Sequence, residues 1–247
     1  MHNLKFLKYN IQFPGNWNEL TTNQLLFSAS LFNRNFSKET FFVLIIQNFT
    51  GIKWDDFFKM PVTAITEISE KLKFLLEQPE LTENKLKKIR IKNKTIYGTE
   101  NALLNVTFEQ YFGHVEPAFA AYMNDEENIE MLNYMISSLY AFESDTGKFN
   151  PDLIPGNMDL MHKLQIKYKY AVLLFYLGCR DLLSSKFPKL FSNKKIKGTN
   201  ELAYFEMIEN LNNENISNNN AVKESNIYEA FIRLTKMIEK NEELRKT

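Results

Sequence analysis

The chain has 247 residues, 44% of them hydrophobic, enough for one large domain or two small ones with a sizeable core. Thirty Lys and Arg offset thirty Asp and Glu, which argues against a globally basic nucleic-acid binder or an acidic mimic. The single cysteine, Cys179, excludes an internal disulfide framework and fits a reducing compartment.

Taken in chain order, "MHNLKFLKYNIQF" has neither the apolar core nor the small-residue cleavage site of a secretory signal. "KFLKYNIQFPGNW" alternates imperfectly until Pro14-Gly15 and predicts an N-terminal strand. In "ELTTNQLL", Thr21 is a candidate N-cap with Gln24 at N3, the reciprocal pair of a capping box. Leu20 and Leu25 are spaced as a hydrophobic staple. "NVTFEQYF" repeats the pattern with Thr107 and Gln110, and Val106 with Tyr111 as staple. Both stretches therefore read as helix starts, not as a repeated active motif.

Ser37 can cap "KETFFVLIIQNF", which Gly51 closes. "WDDFFKM" is a short turn ending at Pro61. "TAITEISEKLKFLLEQ" places Ile65, Ile68, Leu72, Leu75 and Leu76 at helical spacing up to Pro79. In "KLKKIRIKNKTIYGTE" Ile89 and Ile91 alternate with Lys88, Arg90 and Lys92, which predicts a hairpin able to pair with the N-terminal strand. Acidic residues 125–127 open "ENIEMLNYMISSLYAF" at the end a helix dipole favours.

"ESDTGKFNPDLIPGN" reads as a loop, followed by a long helix from about Met158 to Lys186. Its centre, "YAVLLFYLGC", is too short to cross a bilayer, which takes about 20 residues, and reads as buried. "GTNELAYFEMIENL" is a further helix, residues 212–225 form an Asn-rich linker, and residues 226–247 form an amphipathic helix. The expected architecture is mainly α (α+β). A helical domain over residues 1–211 carries a small sheet of the N-terminal strand plus the hairpin, and the terminal helix is tethered to it.

His2, His114 and His162 are scattered without a Cys or second His at ligand spacing, so no metal site is expected. His114 and Glu116, two apart on a helix, point in different directions. Cys179, inside the most apolar helix, is expected to be a buried structural thiol. Glu143, Asp145 and Asp152 do not complete a calcium loop, and "TGK" lacks the glycine run of a phosphate loop. No catalytic residues and no cofactor are expected.

Two binding surfaces remain. The terminal helix presents Ile227, Phe231, Leu234 and Ile238 as a stripe that could dock on its own core or on a partner. The hairpin, residues 85–97, carries Lys85, Lys87, Lys88, Arg90, Lys92 and Lys94 near Tyr97, a pattern shared by nucleic-acid grooves and by solvent-facing edge strands. Phe, Tyr, Lys, Asn and Ile all have A/T-rich codons, so the aromatic content reads equally as codon composition or as an assembly surface.

"FPGNWNELTTNQLL", "LLNVTFEQYF", "MLNYMISSLYAFESDTGKFNPD" and "FYLGCRDLLSSKFPKLF", in that order, resemble segments of tail-region proteins of phages and prophages of Bacteroidetes. Ala141-Phe142 stands where those proteins usually have a basic residue. The resemblance implies a non-enzymatic tail assembly chaperone-like role: binding another tail or virion protein in the host cytoplasm, or remaining in the virion as a connector or ring subunit. No membrane association is expected, since the apolar window is too short to span a bilayer, and homo-oligomerisation is left open.

Overall fold

The computed structural model describes every residue except 7–8, 33, 35, 145, 192–200, 213–214 and 245–247. The fold is mainly α with small antiparallel sheets, as the sequence pattern predicts. By its own contacts the chain divides into two compact units, Met1–Lys85 with Gln165–Cys179 and Leu86–Leu164 with Arg180–Thr247. The division therefore does not fall at residue 211, where the change of composition had placed it.

The first unit begins with strands β1 (His2–Phe6) and β2 (Tyr9–Phe13), a hairpin in which His2 pairs with Phe13 and Phe6 with Tyr9. One strand was expected here and two are present. Helix α1 (Thr22–Leu31) starts at the predicted capping box: Gln24 N donates to Thr21 Oγ1 at 3.3 Å, and Thr21 N to Gln24 Oε1 at 2.9 Å. Both staple residues, Leu20 and Leu25, are buried.

Helix α2 (Lys38–Thr50) has the predicted Ser37 cap and ends on Gly51 at φ 63°, a left-handed turn that a Cβ would strain. Helix α3 (Trp54–Phe57) is a single turn, and α4 (Val62–Lys71) runs on into a 3-10 turn over Lys73–Leu76. That tightening keeps Leu75 buried and leaves Leu76 exposed, off the expected stripe.

Helix α8 (Ile166–Lys186) supplies residues 166–179 to this unit, and Ala171, Val172, Leu174, Phe175, Tyr176 and Cys179 are all buried. The apolar window is thus a core segment, and no helix among the described residues is long and apolar enough to cross a membrane.

The second unit holds β3 (Lys88–Ile91) and β4 (Lys94–Tyr97), which pair with each other while Tyr97 adds a parallel bridge to Ala141, so among the described residues the hairpin does not extend the N-terminal sheet. Its base is tied in place by Tyr140, whose hydroxyl donates to Leu86 O at 2.6 Å, and by Gly98 N donating to Lys87 O at 2.9 Å.

The second capping box is only half formed. Gln110 N donates to Thr107 Oγ1 at 3.2 Å, but the Gln110 side chain turns away and donates to Ser138 O at 2.8 Å. The segment it opens, Glu109–Val115, is a π-helix. This rare form widens the turn and is frequent at sites under functional or packing constraint. It leads into α5 (Glu116–Asn124), and both pack on α6 (Ile129–Leu139).

Helix α7 (Leu153–Met161) takes the end of the predicted loop, because Pro155 in a first turn lacks an N–H that would be unpaired anyway. Residues 158–186 were expected as one helix; they break between Met161 and Ile166, at a stretch with neither Gly nor Pro.

The chain ends in α9 (Pro188–Phe191), α10 (Glu201–Asn212), α11 (Asn219–Glu224) and α12 (Ile227–Leu244). Residues 216–224 of the expected linker are thus a 3-10 turn and a short helix.

Candidate functional site

The stripe of α12 is not an open surface. Ile227, Phe231 and Leu234 are buried and Ile238 is half-buried. The Phe231 ring meets Tyr111, Phe112, Phe187 and Phe191 at centroid distances of 5.8, 5.7, 5.2 and 5.7 Å.

The start of α12 is also fastened by backbone and side-chain hydrogen bonds. Phe108 N donates to Ser225 O at 2.8 Å, Ile227 N to Val106 O at 3.0 Å, Asn226 Nδ2 to Leu104 O at 2.6 Å and Tyr228 Oη to Ala102 O at 2.7 Å. The segment so clasped contains Ala102 and Leu103, both with positive φ, a conformation L residues adopt only when their surroundings impose it. Of the two placements the sequence leaves open for this stripe, its own core or a partner, these contacts are with its own core.

The polar groups weighed from sequence fall into separate structural roles. The Glu116 carboxylate accepts from Tyr111 Oη at 2.9 Å and from Arg180 Nε at 2.8 Å, and Arg180 also lies 5.2 Å from the Phe119 ring. His114 makes its own contact, Nδ1 with the Tyr134 hydroxyl at 2.9 Å, and partial burial holds its imidazole below the usual histidine range. His114 and Glu116 therefore do not form an acid–base pair. Tyr204, stacked on Phe108 at 5.8 Å, has its phenol pushed up to about 12, first by burial and then by the Glu109 carboxylate.

The loop after α6 is closed on itself. Glu143 accepts from Thr146 Oγ1 at 2.7 Å and from Asn150 Nδ2 at 3.1 Å, and Gly147 takes φ 64°. Asp145 lies outside the described residues. Among those described, no three His, Cys, Asp or Glu side chains converge to hold a metal ion. Cys179 is buried, as expected.

Among the described residues, two exposed clusters bear on binding. On the first unit, Trp54, Phe58 and Val62 are 41%, 78% and 78% exposed. The rings of Trp54 and Phe58 stack at 5.8 Å, with Phe57 buried beneath them at 5.7 Å from Trp54. The turn carrying them is pinned by Asp56, whose carboxylate accepts from Tyr9 Oη at 2.8 Å. Scattered exposed apolar residues are ordinary, but two stacked rings on a braced turn form a rigid apolar knob. Sequence reading marked "WDDFFKM" only as a turn, because adjacent Phe57 and Phe58 give no sign of which one faces inward.

On the second unit, Lys87, Lys88, Arg90, Lys92 and Lys94 are exposed along the β3–β4 hairpin. Lys85 is different: its ammonium donates to Glu83 at 2.6 Å and to Asn18 O at 2.8 Å within the first unit. It therefore leaves the basic group the sequence had assigned to it.

No family model, curated protein or solved structure matches the chain.

Proposed function

We propose that this chain is a non-enzymatic phage tail morphogenesis protein that binds another tail protein during assembly, in the manner of a tail assembly chaperone. The ordered segments resembling tail-region proteins support that assignment. The observation that carries the binding role is the stacked, exposed Trp54–Phe58 pair with Val62 beside it in sequence.

Large rigid aromatic rings are the side chains that most often anchor protein interfaces, since burying one removes much apolar area for little lost rotamer freedom. Fully burying a side chain of Phe or Val size is worth about 1.5–3 kcal/mol. Two or three such residues supply a moderate affinity once the entropy of association is subtracted, which suits a partner that must later be released. With α12 docked in cis, this knob takes the place of the terminal stripe as the partner surface.

A transient role places the protein in the host cytoplasm and outside the finished particle. Mass spectrometry of infected-cell lysate and of purified particles from the source phage or prophage tests this. Abundance in lysate with absence from particles is the expected result. A stoichiometry in particles near a tail-ring multiple would instead identify a permanent connector or ring subunit.

A further inference from the structure

We infer that the outer face of the β3–β4 hairpin binds single-stranded nucleic acid, by way of its phosphates and one stacked base. This surface lies on the second unit and is independent of the protein-binding reading of the Trp54 knob.

Register decides what faces outward. Ile89 pairs with Ile96, and both are buried, so the alternate pairs Lys88 with Tyr97 and Arg90 with Thr95 share the opposite face. Lys87, Lys92 and Lys94 are exposed as well, but by the same alternation Lys87 and Lys94 lie on the Ile89/Ile96 side, at the hairpin's two ends, with Lys92 in the turn. Lys92 sits at φ 53° in the two-residue turn, which holds the hairpin tip in a tight reversal. Among the described residues none of these five cations has a carboxylate partner within ion-pair distance, although such partners are found for Lys59, Lys85, Lys189 and Lys223.

The segregation is the telling feature. The chain as a whole is neutral, yet five positive charges crowd residues 87–94 with no acidic residue between them. Lysines that only protect a strand edge from aggregation need neither such density nor an aromatic partner. Here the Lys88 ammonium lies 5.2 Å from the centroid of the half-buried Tyr97 ring, so a cation and a π face are presented together. Single-strand binders combine these two elements, the charge tracking the backbone and the ring taking a base.

Beside β4 the surface sinks into a groove lined by Tyr97, Tyr140, Phe142, Asn150 and Asn157. Asn157 Nδ2 donates to Tyr140 O at 2.9 Å, which fixes the orientation of its amide in that wall. A base leaving the stack on Tyr97 therefore meets aromatic and amide edges, whereas Glu143 and Asp152, which line the same groove, disfavour phosphates there. Duplex DNA, whose bases are not free to stack on a side chain, gains only the electrostatic part.

The test is fluorescence anisotropy of a labelled oligo-dT of about 20 nucleotides with the intact chain, as a function of salt. Three phosphate contacts give a slope of about −2 in log–log form, hence roughly twentyfold weaker binding between 50 and 200 mM salt. The double variant Lys88→Glu/Arg90→Glu is expected to weaken binding at least tenfold with an unchanged circular-dichroism melt, both residues being exposed. Tyr97→Phe is expected to bind as the parent does, and Tyr97→Leu several-fold more weakly to oligo-dT with no change toward a duplex of equal length. Salt-independent binding, no binding, or an unaffected charge-reversal variant would overturn the inference. So would equal competition by polyglutamate together with a silent Tyr97→Leu, which would make the face a site for an acidic protein.

Discussion

Phe231→Ala is expected to destabilise the second unit by about 3–5 kcal/mol, the range for removing a fully buried aromatic side chain. The ring is 1% exposed and touches four other aromatic rings drawn from the π-helix segment, from Phe187 between α8 and α9, and from α9. Tyr111, Phe112 and Phe187 each hold a further ring contact that collapse into the space would break, so the cavity persists and its cost adds to the lost transfer energy. The hydrogen bonds that clasp residues 102–108 to 225–228 should loosen with it. Urea unfolding followed by circular dichroism measures the loss, and hydrogen exchange should locate it to α12 and residues 102–108. Leu244→Ala on the same helix is the control, since its side chain is 64% exposed and the expected change is within about 0.5 kcal/mol. If Phe231→Ala proved equally mild, the cis docking of α12 would be wrong, and its stripe would again be available to a partner.

The second large effect is expected at Gly178. In an exposed helix, Gly→Ala gains about 1 kcal/mol because alanine gives up less backbone freedom. In α8 the sign should reverse. A Cβ on Gly178 would lie 2.5 Å from the backbone N and 2.8 Å from the carbonyl carbon of Leu81, and nearer still to its oxygen. These are backbone atoms of a fully buried residue, with no flexible side chain to swing aside. The helix must move off the 80s segment, and overpacking of this kind costs about 1–3 kcal/mol. Gly156→Ala in α7 supplies the opposite case: nothing lies within 4 Å of its added Cβ, so a gain of about 0.5–1 kcal/mol is expected. Thermal melts of the two variants should therefore move in opposite directions.

Features set by neighbouring residues in the chain were readable in advance. Thr21, Ser37 and Gly51 cap helices where the sequence pattern places them, because a cap is satisfied by atoms three or four residues away. The Ile89/Ile91 alternation likewise marks the hairpin, whose burial follows the period of two.

Reading from sequence fails where a distant group wins the competition. Thr107 and Gln110 carry the same capping pattern as Thr21 and Gln24, yet the Gln110 amide is taken by Ser138 O, 28 residues away, and a π-helix results. The same holds for α12. Its stripe shows that one face must be buried but cannot say against what, and the ring cluster around Phe231 comes from three separate segments. The exposed knob was the hardest feature to anticipate. In "DDFFKM" the two phenylalanines are chemically identical, and only the packing of a four-residue turn sends Phe57 inward and Phe58 out.

The proposed partner surface can be tested at one atom's reach. A photoreactive phenylalanine analogue in place of Phe58, irradiated in cells during particle assembly, should cross-link to a single tail protein, with the adduct identified by mass spectrometry. The same analogue in place of Ile216, which is 81% exposed on the other unit, should give no such adduct. A tail-protein adduct at Phe58 alone is the predicted outcome. No adduct at Phe58, or the same adduct from both positions, would contradict a role for the Trp54–Phe58 knob in binding a tail protein.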